Sequence, residues 1–210
     1  MKIGIIGAGN IGTATAQLFI KAGHEIAIAN SRGPETLKDK VAELSDKAQA
    51  ATIEDAAKFG EVVLIAIPFG KYKTLPAAAF RDKIVIDSNN YYPNRDGQFA
   101  EIDHDSTTSS ELLAEHLKGA RLVKGFNTIW SEHLKTQGDT KLLLAERRAI
   151  FIASDDSEAK ETVAKLIEEI GFAAIDTGFL GRGGRLQQPG TPVYNKTLTI
   201  GEAKQLLQAE

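Results

Sequence analysis

Ile5-Ile6-Gly7-Ala8-Gly9-Asn10-Ile11-Gly12 closes a short apolar run and opens a stretch with helical spacing. Each glycine has its own spatial reason. Gly7 permits a tight turn after a strand, Gly9 removes the Cβ where another group must approach the backbone, and Gly12 lets a helix pack closely on that strand. Outward from this loop the chain alternates apolar runs with helical periods. Lys2-Ile6 reads as a strand, followed by a helix through Gln17, Leu18 and Phe19. Glu25-Ala29 is a second strand. Pro34 suits the first turn of a helix in which Leu37, Val41 and Leu44 recur at helical spacing. Further strands are expected at Ala48-Ala51, Val62-Ile67 (stopped by Pro68), Lys83-Asp87, Arg121-Gly125, Ala149-Ala153 and Phe172-Asp176. Thr52 with Asp55 resembles a capping box for a brief helix. Helices are expected through Ile129 and Leu134, over Glu158-Ile170, and from Thr199 with Glu202 in capping position.

Strands apolar on both faces belong in a parallel sheet covered by helices on each side. Right-handed crossovers then give an α/β fold with a doubly wound, mostly parallel sheet. Two stretches break the rhythm. Tyr91-Ser110 is polar and aperiodic, with a turn signal at Asn94-Arg95-Asp96-Gly97, and Gly178-Lys196 is rich in Gly, Arg, Gln and Pro. With no internal repeat and no evident linker, residues 1–210 are expected to form a single Rossmann-type domain, with 178–210 as a short C-terminal loop and helix extension.

A Gly-x-Gly-x-x-Gly loop between a first strand and a helix is the fingerprint of dinucleotide binding. The helix start offers unpaired N–H groups and its positive dipole end to a diphosphate. The end of the second strand reports which dinucleotide. An NAD-binding unit places Asp or Glu about 20 residues past the loop, on the ribose 2′-hydroxyl. This chain has Asn30-Ser31-Arg32-Gly33. Asn30 is neutral, Ser31 can donate a hydrogen bond, and Arg32 can pair with phosphate oxygens and stack on adenine. NADP(H) is therefore the expected nucleotide; the alternative is a polar turn with Arg32 in solvent.

Composition narrows the class. With 210 residues and 42% hydrophobic content the chain can bury one substantial core. A formal net charge of -3 points to neither nucleic acid nor an anionic membrane. The absence of cysteine removes thiolate catalysis and Cys-type zinc sites, and suits a reducing compartment. Ile3 to Ile6 is too short for a signal peptide, and no run approaches the roughly 18 to 20 apolar residues of a membrane span. A soluble, cytoplasmic protein is expected.

With those residues in place, the chain resembles the NADP oxidoreductases related to coenzyme F420-dependent NADP reductase, and the cytoplasmic reductase domain of the membrane ferric reductases. The likeness is carried by Gly-Ala-Gly-Asn-Ile-Gly, Asn-Ser-Arg, Ala66-Ile67-Pro68, Asp87-Ser88-Asn89-Asn90, Lys124-Gly125-Phe126-Asn127-Thr128 and Pro192-Val193-Tyr194-Asn195. It implies that Gly7, Gly9, Asn10, Ile11 and Gly12 hold the diphosphate, and Ser31 and Arg32 the 2′-phosphate. Ile67 and Pro68 would lie along the adenine-side ribose and the bridge. Asn89, Asn90 and Asn127 would stand at the nicotinamide half, although each asparagine can equally cap a turn. The basic residue that often follows Ser-Arg in relatives is displaced here by Gly33-Pro34-Glu35, leaving Lys38 as a substitute. The resemblance also implies a homodimer.

The implied chemistry is hydride transfer between NADP(H) and a small planar acceptor such as a flavin or F420. That reaction asks little of side chains, because the cofactors carry the reactivity. The short stretch after Asp176 favours an exposed planar acceptor over a substrate enclosed by a helical domain. No catalytic side chain is assigned. His24 reads as structural, His104, His116 and His133 show no metal-ligand spacing, and no metal is expected. Two alternatives stay open: a small carbonyl or imine reductase, and a non-catalytic NADPH sensor. Gly181-Arg182-Gly183-Gly184-Arg185 is expected either to line the acceptor site or to support a subunit contact, with Phe179, Leu180, Val193 and Tyr194 as apolar surface for a partner.

Overall fold

The computed structural model describes residues 1–208. Its order is β1 (Lys2–Ile6), α1 (Asn10–Lys21), β2 (Glu25–Ala29), α2 (Lys38–Leu44), β3 (Ala48–Ala51), α3 (Ile53–Phe59), β4 (Val62–Ile65) and β5 (Ile84–Asp87). Then come α4 (Pro93–Asp96), α5 (Ala100–Asp103), α6 (Ser109–His116), β6 (Arg121–Gly125), α7 (Ser131–Thr136), β7 (Ala149–Ala153), α8 (Ser157–Glu169), β8 (Ala173–Asp176), α9 (Leu180–Arg185) and α10 (Ile200–Gln208). The strands form one eight-stranded sheet in the order β3-β2-β1-β4-β5-β6-β7-β8. Every pairing is parallel except β6 with β7. This is the doubly wound, Rossmann-like α/β sheet that the apolar runs require.

Alternation along the strands feeds two cores. Ile3, Ile5, Ile26, Ile28 and Leu64 point to one face with Phe19 of α1 and Val163 and Ile167 of α8. Ile6, Ala27, Ala29, Val63 and Ile65 point to the other, with Ala56 of α3 and Leu113 of α6. The chain winds outward from β1 to β3, then crosses back to β4. The C-terminal ends of β1 and β4 therefore diverge at a topological switch point, where open α/β sheets bind ligands.

Several boundaries differ from expectation for local reasons. β4 ends at Ile65 and not Ile67: Ala66 still donates to Ile6 O, but the Ile67 N–H turns to the side chain of Asn89 at 2.9 Å. The aperiodic Tyr91-Ser110 contains two single-turn helices and the start of α6. Thr108 caps α6 reciprocally with Glu111. The Gly-rich stretch after β8 forms α9. A Cβ at Gly183 would lie 2.7 Å from Thr177 O, so that glycine seats the helix against the end of β8. Of the four residues proposed as partner surface, Leu180 and Val193 are buried in the chain's own cores, Tyr194 is partly buried, and Phe179 is exposed.

Candidate functional site

A cavity of about 560 Å³ opens at the switch point. Its floor begins at the glycine loop. Gly7 has φ +112°, and a Cβ there would lie 2.1 Å from Ala66 O; a Cβ on Gly12 would lie 1.9 Å from Gly7 O. These two buried glycines shape the turn and seat α1, and neither lines the cavity. Gly9 differs. Its φ of -80° and ψ of -167° suit any residue, and a Cβ would meet nothing within 4 Å. No protein atom requires glycine there, yet Gly9, Asn10 and Ile11 line the cavity. The first turn of α1 carries no acidic residue. The backbone at the start of α1 is thus left open to the cavity.

The end of β2 stands beside the loop, since Ala29 pairs with Ile6 and Ala29 O accepts the Gly7 N–H at 2.8 Å. Asn30 folds the next turn: its Oδ1 accepts the Arg32 N–H at 2.8 Å and its Nδ2 donates to Thr36 Oγ1 at 2.9 Å. Asn30 thus braces the turn with both ends of its amide, while Ser31 and Arg32 lie exposed. Lys38, the expected substitute cation, forms an ion pair with Glu35. Lys40, which spacing alone did not single out, reaches Thr13 Oγ1 in the second turn of α1 at 3.3 Å.

The far wall comes from the loops after β4, β5 and β6, which bring Ile67, Pro68, Asn89, Asn90 and Asn127 to the same cavity. Phe126 has φ +62°, a left-handed turn that carries the chain from β6 into Asn127. Asn90 and Asn127 hold each other: Asn90 Nδ2 donates to Asn127 O at 2.8 Å, and Asn127 Nδ2 to Asn90 Oδ1 at 3.1 Å and Gln187 O at 2.7 Å. Three buried amide atoms of lining residues lack a hydrogen-bond partner among the described residues: Asn89 Nδ2, a donor, and Asn127 Oδ1 and Asn195 Oδ1, acceptors.

Beneath this wall lies a buried ion pair. Lys124 Nζ donates to Ser110 Oγ at 2.9 Å and to Asn89 O at 3.1 Å, and stands 3.5 Å from Asp87 Oδ2. Asp87 accepts the Ser110 hydroxyl at 2.6 Å and the Asn89 N–H at 3.0 Å. Every Lys124 proton has an acceptor, so the pair fixes the backbone of Asn89.

Four residues not expected at the site complete the rim, among them Tyr194, which was expected on a partner surface. Tyr92, Arg95, Trp130 and Tyr194 line the cavity. Trp130 is 60% exposed at the end of a buried segment and stacks on His133 at 5.7 Å. Tyr92 and Tyr194 share a hydrogen bond. The Arg95 guanidinium sits 4.9 Å from the Tyr92 ring centroid and is paired with Asp96 at 2.8 Å. Burial, then the neighbouring Tyr92, pushes the Tyr194 phenol above its ordinary value. Tyr92 and Tyr194 are 102 residues apart, and only folding joins them. The Gly181-Arg185 segment does not line this cavity; Arg185 donates instead to Asp105 O at 2.7 Å. Among the described residues no group of three or more His, Cys, Asp and Glu stands together as a metal site.

Fold and cavity define a Rossmann-like α/β protein with an open cavity at its switch point. The family described as NADP oxidoreductase, coenzyme F420-dependent, matches residues 2–91. A hypothetical protein of Sinorhizobium meliloti is 31% identical, with a TM-score of 0.82 over 95% of both chains. The chain belongs to this F420-dependent NADP oxidoreductase family. A protein provisionally described as an F420-dependent NADP reductase from Arthrobacter sp. FB24 shares the fold at 23% identity, with a TM-score of 0.74 over 95% of this chain and 99% of that one. The metalloreductase STEAP3 of Rattus norvegicus is 26% identical over 183 residues, 85% of this chain. The chain spans about a third of such curated relatives, 34% of STEAP3. NADP(H) is the nucleotide of the family, and among the described residues no helix is long and apolar enough to cross a membrane.

Proposed function

We propose that this chain transfers hydride between NADP(H) and a planar acceptor, a flavin or a deazaflavin such as F420. One observation carries the reading: a single cavity joins a glycine that no protein atom requires to an orphaned amide donor and an orphaned amide acceptor. A diphosphate suits the first end, and a carboxamide, itself one donor group and one acceptor, suits the second. On this reading Gly9, Asn10 and Ile11 approach the diphosphate, and Ser31 and Arg32 take the 2′-phosphate. Asn89 and Asn127 orient the nicotinamide amide. Asn30, Asn90, Gly7 and Gly12 hold these groups in place, and Ile67 and Pro68 border the bridge. NADPH supplies the hydride; the chain aligns two flat rings and limits water between them. The exposed face of Trp130 offers the acceptor ring a stacking surface.

Calorimetric titration tests the first half of the reading: NADP+ should bind and NAD+ should bind more weakly. Stopped-flow oxidation of NADPH with FMN, FAD and F420 offered in turn tests the second. Binding without turnover on any of them would replace a reductase by an NADPH sensor. The reading extends to a cytoplasmic homodimer. Exposed Phe179 and the exposed Leu142, Leu143 and Leu144 supply apolar surface for a second copy, and sedimentation at equilibrium reads the mass.

A further inference from the structure

The two phenols on the cavity wall have a use that hydride transfer to a flavin leaves idle. The pair owns two hydroxyl protons. One lies in the hydrogen bond between the oxygens. Tyr194 Oη also accepts from Asn90 Nδ2 at 3.4 Å. If Tyr194 donates to Tyr92, the Tyr92 proton has no acceptor among the described residues; if Tyr92 donates, the Tyr194 proton has none. In either arrangement one phenolic proton is unclaimed, on residues that line the same cavity as Asn127 and Trp130.

We propose that Tyr92 and Tyr194 act as a two-phenol general acid, and that the site reduces conjugated carbonyl compounds, a class that must receive a proton together with the hydride. The proposal rests on the hydride-transfer reading above. Flatness follows from the Trp130 surface. Neutrality follows from the pairing of Arg95 with Asp96, which leaves that cation without a free charge for an anionic substrate.

The reaction balances. The carbonyl carbon gains hydride from the nicotinamide as the C=O π pair moves to oxygen, and that oxygen takes the unclaimed phenolic proton. The second phenol passes its proton across the shared hydrogen bond, and solvent restores it. The sum is carbonyl, NADPH and one proton giving alcohol and NADP+. Charge that develops on Tyr194 meets the Asn90 N–H, a group already in place.

The test uses two probes on the full chain: 9,10-phenanthrenequinone, whose oxygen needs the proton, and FMN, which leaves as a reduced anion without one. Tyr92→Phe and Tyr194→Phe keep both rings. General acid catalysis contributes about 10²–10⁴-fold. Each variant should therefore lose at least tenfold more of its phenanthrenequinone rate than of its FMN rate. The double variant should be no more than a few-fold worse than the poorer single one, because the phenols act as a unit. Calorimetric NADP+ affinity checks that the nucleotide site survives in each variant. Equal losses on both probes overturn the proposal and make the phenols structural. So does a wild-type chain that reduces FMN but not phenanthrenequinone. A wild-type chain that takes up no NADP+ overturns the nucleotide reading itself, and this inference with it.

Discussion

Replacing Gly9 by alanine should separate nucleotide binding from folding. The Gly9 backbone is extended and open to any residue, and its Cβ would meet no atom within 4 Å. The structural cost is that of a poorer helix N-cap, about 0.5–1 kcal/mol, or a fall of roughly 1–4 °C in Tm for a chain of this size. The same methyl group lies in the cavity where the diphosphate is proposed to approach, so NADP+ affinity should fall at least about tenfold, or ~1.4 kcal/mol. Gly12→Ala is the counterpart. Alanine gains about 1 kcal/mol of helix propensity over glycine. Yet its Cβ would stand 1.9 Å from Gly7 O and 3.2 Å from Ile5 Cγ2, so α1 must shift off the strand. Overpacking of this kind costs about 1–3 kcal/mol or more, and with a backbone carbonyl as the obstacle the upper end applies. Thermal melts followed by circular dichroism, with calorimetric titration of NADP+ well below Tm, read both quantities. Wild-type affinity in Gly9→Ala would refute the reasoning, and so would a loss of stability equal to that of Gly12→Ala.

Arg32→Ala should weaken NADPH more than NADH by about 1–3 kcal/mol, as for a lost charge-assisted contact; equal losses by calorimetry would assign Arg32 to the adenine or to the fold. Lys124→Met leaves Asp87 buried with only neutral donors and should cost about 3–5 kcal/mol, with Asp87→Asn in the same chain restoring part of it in denaturant melts. Asp156 is held at about 2, first by Arg121 and then by the Ala159 N–H that it caps. A depressed carboxyl contributes fully above its unfolded value and loses that contribution as pH falls through the folded one. The stability gap between wild type and Asp156→Ala, about 1 kcal/mol near neutrality, should therefore close between about pH 5 and pH 2. A gap unchanged at low pH would show that the aspartate contributes no charge effect.

The sheet was legible because its information is local. Short runs such as Ile3 to Ile6 and Ala149 to Ala153 are apolar on both faces, which only a covered parallel sheet accepts, and the glycine spacing then located the switch point. Helix α9 was not legible. Its glycines read as a loop, and their reason, the close approach of Gly183 to Thr177 O, exists only after β8 is in the sheet. β4 was overextended because Ala66 and Ile67 are apolar; what ends the strand is a side chain 22 residues further on, Asn89, which takes the Ile67 N–H. The phenol pair was hidden for the same reason, since no window of sequence contains both of its members.

The asparagines show what structure adds to a motif. Asn30, Asn89, Asn90 and Asn127 are alike in sequence: each follows a strand, and each can cap a turn or hold a ligand. Counting hydrogen bonds divides them. Asn30 and Asn90 use both ends of their amides within the chain. Asn89 uses only its oxygen and Asn127 only its nitrogen, which leaves a buried donor on one and a buried acceptor on the other. An unmet buried polar atom costs about 1–3 kcal/mol. A hydrophobic residue of similar size would avoid that cost, but it would also lose the hydrogen bonds that fix Ile67 and Gln187. The proposed function gives both atoms partners from outside the chain. On the proposed reading, nucleotide binding removes a penalty that the folded chain carries alone, so the ligand stabilises the loops after β5 and β6 as well as occupying them.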